Sequence, residues 1–461
     1  MAYIAINMLE DDILLGIFNF YRLAGKNSWN RIGWFKLSHV CRRWRHLIYS
    51  STFHLGMHIV CTNGTPIVDT LDHLPPLPIF VDYRLETKLV SGKWQREIIC
   101  AKDELGIYHA LRLPDRVRRV ELRLPPSTLH KLVMLMDKSF PRLEYLALEV
   151  VDYETTALPL PSTFLAPNLR CLILGGISLP KRLRLLTSTT SLVKLTLREI
   201  PASGYFRPRL LVARLQSLPL LEELGIAFSI PLPRLSAERE LLGEQGTPVT
   251  LSKLKFFWFW GVCAYLDRLV SQMRAPLLER LSIRLFNQLV FTLPHLADFV
   301  HITKIKLSIV RVFFDRSGVT VNQDPKVVAR CFDLDVSCEP LDWQVGCTAQ
   351  ICSALRPMLS GAEELTLVFH GKEVFSELQV DGTTWCELLR SFIGVKRVYI
   401  HNGMVEELSR ALEEVDNIGS DPEFLPSLEY LILWKTGTHA DNLFGSFIRA
   451  RRLVGRPISL F

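Results

Sequence analysis

The chain has 461 residues and a formal net charge of +7, and 48% of its residues are hydrophobic while 22% are charged. This composition is too apolar for a chain that stays solvated and disordered, so it predicts a large folded core. At ~150 residues per domain the length corresponds to about three domains, but a repeat architecture of this length can form a single domain, so one to three domains are allowed. No uncharged apolar run reaches the ~18 residues of a membrane-spanning helix, so no membrane partner is expected.

The positive charge is concentrated at the amino terminus. Residues 1–52 contain seven Lys or Arg and three acids, so they carry +4 of the +7. A nucleic-acid-binding protein is expected to spread a basic stripe over its binding face. The sequence therefore predicts no nucleic-acid partner.

The first residues carry no Lys or Arg and lead directly into acids, which predicts neither a secretory signal nor a transit peptide. Ten cysteines are scattered without a Cys-x-x-Cys pair, as in proteins whose thiols are free. The closest group, Cys331, Cys338, Cys347 and Cys352, lacks the spacing of a zinc site, so core cysteines are the favoured interpretation. We expect an intracellular protein, cytoplasmic, nuclear or both, without metal or cofactor.

Two amphipathic stretches are predicted within the first 50 residues. The first places Ile13, Leu14, Ile17, Phe18 and Tyr21 on one helical stripe. The second repeats this spacing in Leu37, Val40, Cys41, Trp44, Leu47 and Ile48, with basic residues on its other face. Two interpretations are open, because so short a segment is poorly suited to fold alone. It is either a helical cap on the following domain or a docking surface for another protein's helices, with Trp44 as an anchor.

The segments 6–18, INMLEDDILLGIF, and 34–47, WFKLSHVCRRWRHL, together resemble an F-box, especially that of fungal, mushroom-type F-box proteins. Glu10 stands where that family usually has proline. The resemblance covers residues 6–50 and implies binding to a Skp-type adaptor and, through it, to the cullin scaffold of a ubiquitin ligase. The adaptor contacts that it implies are Leu9, Ile13, Leu14, Val40, Cys41 and Trp44.

Residues 53–114 are expected to form degenerate first repeats that cap the following region. Two strands are predicted, over Leu55–Val60 and Pro78–Tyr83, and a helix is predicted over Trp94–Leu111.

From residue 115 onward, an apolar-x-x-apolar-x-apolar motif recurs every 23–33 residues. Alternating apolar residues predict a short strand with one buried face, and the stretches between copies predict helices or turns. The copies are Val117/Val120/Leu122, Leu143/Leu146/Leu148, Leu169/Leu172/Leu174, Leu192/Leu195/Leu197, Leu221/Leu224/Ile226, Leu254/Phe257/Phe259, Leu278/Leu281/Ile283, Ile302/Ile305/Leu307, Ala329/Phe332/Leu334, Ala362/Leu365/Leu367, Val395/Val398/Ile400 and Leu428/Leu431/Leu433. The pattern resembles an irregular leucine-rich repeat, whose units must stack to bury their faces.

The predicted fold is α/β. A small helical F-box module (1–52) is followed by capping repeats (53–114) and an irregular leucine-rich-repeat solenoid (115–461). Parallel strands are expected on the concave face, with helices and loops on the convex face. The Pro-rich, charged segment Ile230–Pro248 is expected to be a long mobile loop.

No enzyme is expected, because the chain contains no nucleophile elbow, phosphate loop, dinucleotide fingerprint, metalloprotease helix or calcium loop. With the resemblance, the expected function is substrate receptor of a Skp-cullin-F-box ubiquitin ligase, acting as a monomer within a hetero-complex. The alternative is a leucine-rich-repeat scaffold for protein interactions without a ligase role. Target contacts are expected on the inner strand face, at the non-core positions between the repeat apolars. Trp258 is the preferred anchor because Trp is enriched in hot spots, and a core position is the alternative interpretation of this residue. The foremost target contacts are Tyr145, Arg170, Lys194, Trp258, Arg280 and Lys306.

Overall fold

The computed structural model describes residues 6, 9–24, 33–52, 55–64, 67–68, 71, 76–85, 87–90, 93–96, 99–151, 158–178, 184–201, 204–229, 248–288, 291–303, 305–323, 331–369, 380–417, 425–434 and 443–461. The chain divides into two compact units, residues 1–154 with 158–189 and residues 155–157 with 190–461. The predicted domain boundaries at 52 and 114 stay predictions. The predicted loop Ile230–Pro248 lies outside the described residues except for Pro248.

Three short helices open the first unit: α1 (Asp11–Ala24), α2 (Gly33–Ser38) and α3 (Arg42–Ser50). The second predicted amphipathic stretch is therefore two helices and not one. Cys41 separates them, because its extended backbone lets its Sγ accept a hydrogen bond from the Trp44 amide at 3.4 Å, as an N-cap does. Arg43 Nη2 donates to the Leu9 carbonyl at 2.6 Å and binds Asp11 at 2.7 Å. These contacts fix the start of α1 against α3.

The rest of the first unit is mainly a parallel sheet with helices between its strands. Its elements are β1 (Ile59–Cys61), β2 (Ile79–Arg84), β3 (Thr87–Val90), β4 (Lys93–Arg96), α4 (Ala101–Leu111), β5 (Val117–Leu124), α5 (Pro126–Val133), β6 (Tyr145–Val150), β7 (Leu158–Pro159), β8 (Cys171–Gly175), β9 (Ile177–Ser178) and α6 (Arg184–Ser188). Strands β1, β2, β5, β6 and β8 are neighbours in that order, and each pair is parallel.

The helix predicted over Trp94–Leu111 is wrong in its first part. Residues Lys93–Arg96 form β4, which pairs antiparallel with β3. The helix begins at Ala101, where the Sγ of Cys100 accepts a hydrogen bond from the Asp103 amide at 3.4 Å. This cap satisfies one of the free amides of the first turn and so sets the start of α4.

The second unit has the same alternation of strands and helices. Its elements are β10 (Lys194–Ile200), α7 (Pro208–Leu215), β11 (Glu223–Phe228), β12 (Val249–Thr250), β13 (Phe256–Gly261), α8 (Cys263–Val270), β14 (Met273–Arg274), β15 (Arg280–Leu285), α9 (Pro294–His301), β16 (Ile309–Phe314), β17 (Gly318–Gln323), β18 (Phe332–Ser337), α10 (Leu341–Ala354), α11 (Arg356–Leu359), β19 (Glu364–Phe369), α12 (Gly382–Leu389), β20 (Arg397–His401), α13 (Asn402–Asn417), β21 (Tyr430–Trp434), α14 (Gly445–Leu453) and β22 (Ser459–Leu460). Its strands are neighbours in the order β10-β11-β13-β15-β18-β17-β16-β19-β20-β21-β22.

The parallel arrangement of this sheet is interrupted at one place. Strand β17 runs antiparallel to both of its neighbours, β16 and β18, so these three strands form a meander within the sheet. Consequently β15 pairs with β18 and not with the next strand in sequence. The expectation of parallel strands throughout the repeats is therefore wrong at β17.

Most predicted repeat copies coincide with strands. Eleven of the twelve place their last two apolar residues on a strand. The copy at Ile302/Ile305/Leu307 is wrong, because Ile302 follows the end of α9 and the strand begins only at Ile309. Ile305 and Leu307 are nevertheless buried, so the apolar pattern there reports core packing without a strand.

Strands β13, β15, β16 and β18 bury alternate residues and leave most of the others on an open face. In β13, Phe257 and Phe259 are buried, whereas Phe256, Trp258 and Trp260 are only half-buried. Helices α10, α12 and α13 pack side by side and contribute further apolar residues to the core. Each buried Leu, Ile or Phe stabilises the fold by about 1.5–3 kcal/mol, so every strand contributes to the stability of the core. The half-buried and exposed side chains on the open face are accessible to a binding partner.

Candidate functional site

Helix α1 exposes three apolar residues on one side. Ile13, Ile17 and Phe20 follow the i, i+4, i+7 spacing of a single helical face and are 50%, 41% and 74% exposed. Clusters of large exposed apolar side chains are typical of protein interaction sites. We call these three residues the helical stripe. Val40, between α2 and α3, is also exposed.

The other side of α1 holds the helices together. Leu14 and Phe18 are buried, and the Phe18 ring meets the Trp44 ring edge-on with centroids 4.8 Å apart. Leu47 and Ile48 of α3 are buried as well. Aromatic pairs in this geometry add about 0.5–1.5 kcal/mol to the effect of burial, so Trp44 is part of the core of these helices.

The six predicted adaptor contacts are not equally accessible. Ile13 and Val40 are exposed, and Leu9 and Cys41 are half-buried. Leu14 and Trp44 are buried within the helices and do not present a surface. Ile17 and Phe20 are not among the contacts that the resemblance implies, although their i+4 and i+7 spacing from Ile13 places all three on the same helical face.

The open face of the second unit carries aromatic residues beside arginines. Phe256 on β13 is the register partner of Arg280 on β15, and Trp260 is the partner of Arg284. The Arg280 guanidinium lies 4.4 Å from the Phe256 ring centroid, and the Arg284 guanidinium lies 4.9 Å from the Trp260 centroid. Both distances suit cation–π attraction. We call Phe256, Trp258, Trp260, Arg280 and Arg284 the aromatic–arginine tract.

Two of the predicted target contacts, Trp258 and Arg280, lie together in this tract. Lys194 lies at the start of β10, where its ammonium binds Glu223 at 2.6 Å. Lys306 is exposed but precedes β16, outside the strand that the repeat pattern predicted for it. The other members of the tract were missed as contacts; the alternation Phe256-x-Trp258-x-Trp260 was the available signal.

Tyr145 and Arg170, the remaining predicted target contacts, belong to the first unit. The Arg119 guanidinium lies 3.7 Å from the Tyr145 ring centroid and binds Glu121 at 2.7 Å. Burial and, to a lesser extent, the charge of Glu121 raise the pKa of the Tyr145 phenol above its ordinary value. Arg170 is exposed. Paired charges line the open face around Tyr145.

An aspartate–histidine pair in the second unit supports a helix. His295 Nδ1 lies 2.7 Å from Asp267 Oδ2, and the His295 amide donates to Asp267 Oδ1 at 2.8 Å, so Asp267 caps the first turn of α9. The nearby Cys263 Sγ donates to the Thr292 carbonyl at 3.4 Å. Burial and then the charge of Asp267 raise the pKa of the Cys263 thiol. A nucleophilic cysteine needs a lowered pKa, so these groups do not form a nucleophilic site.

The four cysteines that lie closest in sequence do not converge on one point. The Sγ atoms of Cys338 and Cys347 are 3.7 Å apart, while the Sγ of Cys331 donates to Gln323 Oε1 at 2.8 Å. Cys352 is buried within α10. Among the described residues, no group of His, Cys, Asp and Glu is arranged to hold a metal ion.

A thiol reagent is expected to modify Cys100 before the buried cysteines. Cys100 is exposed, whereas burial raises the pKa of the Cys61 and Cys352 thiols to about 12. Because the thiolate is the reactive form, Cys61 and Cys352 should react only after denaturation. Maleimide labelling at neutral pH followed by peptide mass spectrometry measures the order. Labelling of Cys352 before Cys100 in the native protein would contradict it.

No protein-family model and no curated protein matches the chain. One similar solved structure is the leucine-rich repeat-containing protein LegL7 from Legionella pneumophila, which is 13% identical, with 87% of this chain and 99% of that chain covered and a TM-score of 0.26. Within the described residues, no helix is long and apolar enough to cross a bilayer.

Proposed function

We propose that the chain is a non-catalytic interaction protein with two binding surfaces. The helical stripe binds a Skp-type adaptor and, through it, a cullin ubiquitin ligase, in line with the F-box resemblance of residues 6–50. The open strand face of the second unit holds a target protein. Such a receptor acts by proximity, because holding the target beside the ligase raises its effective concentration there.

The exposed stripe on α1 is the observation that carries this proposal. A helix in a folded unit is expected to turn its large apolar residues inward, yet Phe20 is 74% exposed and Ile13 and Ile17 are at least 41% exposed. Helices recognised by another protein present anchors at this i, i+4, i+7 spacing. Leu14 and Phe18 already form the inner side of α1, so the stripe is free to serve a partner.

The double substitution Ile17→Asp, Phe20→Asp is expected to weaken binding of a purified Skp-type adaptor by about two orders of magnitude or more. Two large apolar side chains would lose their burial, at about 1.5–3 kcal/mol each. Isothermal titration calorimetry of the full chain with the adaptor measures the loss. Far-UV circular dichroism of the variant should match the wild type, since both positions are exposed.

Leu210→Asp is the matched control. Leu210 is a large apolar residue on α7 of the second unit and is 54% exposed, so this substitution should leave adaptor binding unchanged. Binding that survives the double substitution would refute the helical stripe as the docking site. A wild-type chain that fails to bind the adaptor would refute the ligase role.

A scaffold without a ligase role is the second candidate. The burial of Leu14 and Trp44 favours this candidate, because these residues pack among the three helices and need no partner to cover them. In that case α1–α3 cap the first unit, and the chain binds other proteins through its strand faces alone. This alternative would be established if the wild-type protein does not bind the adaptor but still binds a protein or peptide through the strand face.

A further inference from the structure

The aromatic–arginine tract is built around a flat aromatic surface. Strands β11, β13 and β15 are parallel neighbours, with Gly225, Trp258 and Ser282 in one register row. A Cβ atom at Gly225 would lie 2.1 Å from Cε2 of the Trp258 indole. The indole therefore lies directly over Gly225, which lacks the side chain that would push it away. Its outer face forms a platform on the open side of the sheet.

The charges around this platform are unequally neutralised. Arg284 binds Asp335 at 2.9 Å, and Lys194 binds Glu223 at 2.6 Å. Arg280 is exposed and stacks on Phe256, and within the described part of the chain it has no carboxylate partner. A guanidinium held in place by stacking loses little further freedom when an anion binds. Arg280 is thus prepared to receive an external carboxylate beside the platform.

We propose that the aromatic–arginine tract binds an acidic peptide segment of a partner protein. A carboxylate of the segment pairs with Arg280, and a neighbouring proline or aromatic side chain stacks on Trp258. The inference rests on the second half of the proposed function, that the strand face holds a protein, and it specifies the chemistry of that protein's bound segment.

The charge distribution favours a peptide over a nucleic acid. Strand β18 lies next to β15, and its Asp333 and Asp335 are the register partners of Ser282 and Arg284. Phosphates on successive nucleotides require a continuous basic groove, and these aspartates would repel them. A peptide can place one carboxylate over Arg280 and keep its remaining charges away from β18. Bidentate pairing with carboxylate also suits arginine geometry.

A random peptide library displayed on phage tests this inference with the full chain as bait. Selected peptides should be enriched in Asp or Glu next to Pro, Trp, Tyr or Phe. A synthetic copy of the most enriched peptide, carrying a fluorophore, then serves as the probe in anisotropy titrations. Its affinity should fall about tenfold or more in Arg280→Glu, because a charge-assisted pair is replaced by repulsion. Trp258→Ala should produce a similar loss.

Two control variants keep the test specific. Arg274→Glu makes the same charge change at an exposed arginine on β14 and should leave the affinity unchanged. Trp258→Phe keeps a smaller aromatic platform and should retain most of the binding, which guards against a Trp258→Ala variant that merely misfolds. Circular dichroism of each variant reports folding.

Three results would overturn the inference. These are a selection without acidic enrichment, a selected peptide whose affinity is unaffected by Arg280→Glu, and a mixed-sequence single-stranded RNA that displaces the peptide and binds more tightly. Adaptor binding by the helical stripe is measured separately and does not enter this result. If adaptor binding fails while the peptide depends on Arg280, only the ligase half of the proposed function fails.

Discussion

Replacing Trp44 with alanine is expected to unfold the three amino-terminal helices and, as a result, to abolish adaptor binding. Trp44 is buried and its ring meets that of Phe18 at 4.8 Å, and truncating a buried Trp costs about 3–5 kcal/mol. Helices α1, α2 and α3 have 14, 6 and 9 residues, and helices this short do not persist without tertiary packing. Hydrogen exchange of the amides in residues 11–50 measures the unfolding.

Two further variants separate folding from contact. Trp44→Phe keeps an aromatic ring against Phe18 and should retain amide protection. Ile17→Asp should retain protection but lose adaptor affinity, because Ile17 lies on the exposed side of α1. If Trp44→Ala kept full amide protection and still lost the adaptor, Trp44 would be a direct contact, and its assignment to the helical core would be wrong.

In the helical region, the sequence predicts the helices but not which of their apolar residues are buried. Apolar periodicity predicts α1 correctly, but it merges Leu14 and Phe18, which face inward, with Ile13 and Ile17, which face outward. A wide apolar stripe does not reveal which edge of it a neighbouring helix covers. That depends on how α3 packs, and α3 itself begins later than predicted because the Cys41 cap interrupts the periodic run.

In the repeats, local patterns predict the strands well but not their pairing. The motif predicts eleven of the strands because the last two apolar residues of each copy, two positions apart, lie on the strand, and nearly all of them are buried. Register across strands is a non-local property, so the neighbourhood of Phe256 and Arg280 emerges only from the structure. The same holds for β17. Its sequence is an ordinary alternating strand, and only its tight turn after β16 makes it antiparallel.

That turn depends on Asp315 and Gly318. Asp315 Oδ1 accepts hydrogen bonds from the Ser317 amide at 2.6 Å and the Gly318 amide at 2.9 Å, an arrangement by which aspartate reverses the chain. Gly318 then begins β17 opposite Ser337 of β18. A Cβ atom at Gly318 would lie only 2.3 Å from the Val336 carbonyl oxygen. Since the opposing atom is backbone, the clash cannot be relieved by a side-chain rotation.

Gly318→Ala is therefore expected to lower the free energy of unfolding by about 1–3 kcal/mol, the usual cost of forcing extra volume into a packed site. Urea denaturation followed by circular dichroism measures the change in midpoint.

Gly346→Ala on α10 is the matched control, because its added Cβ would meet nothing closer than Thr384 Cγ2 at 3.8 Å. Alanine is favoured over glycine within a helix by about 0.5–1 kcal/mol, so Gly346→Ala should raise stability. The same Gly→Ala substitution is thus expected to lower the free energy of unfolding at position 318 and to raise it at position 346. If Gly318→Ala were as stable as the wild type, β17 could not pack against β18 in the register that places Gly318 opposite Ser337.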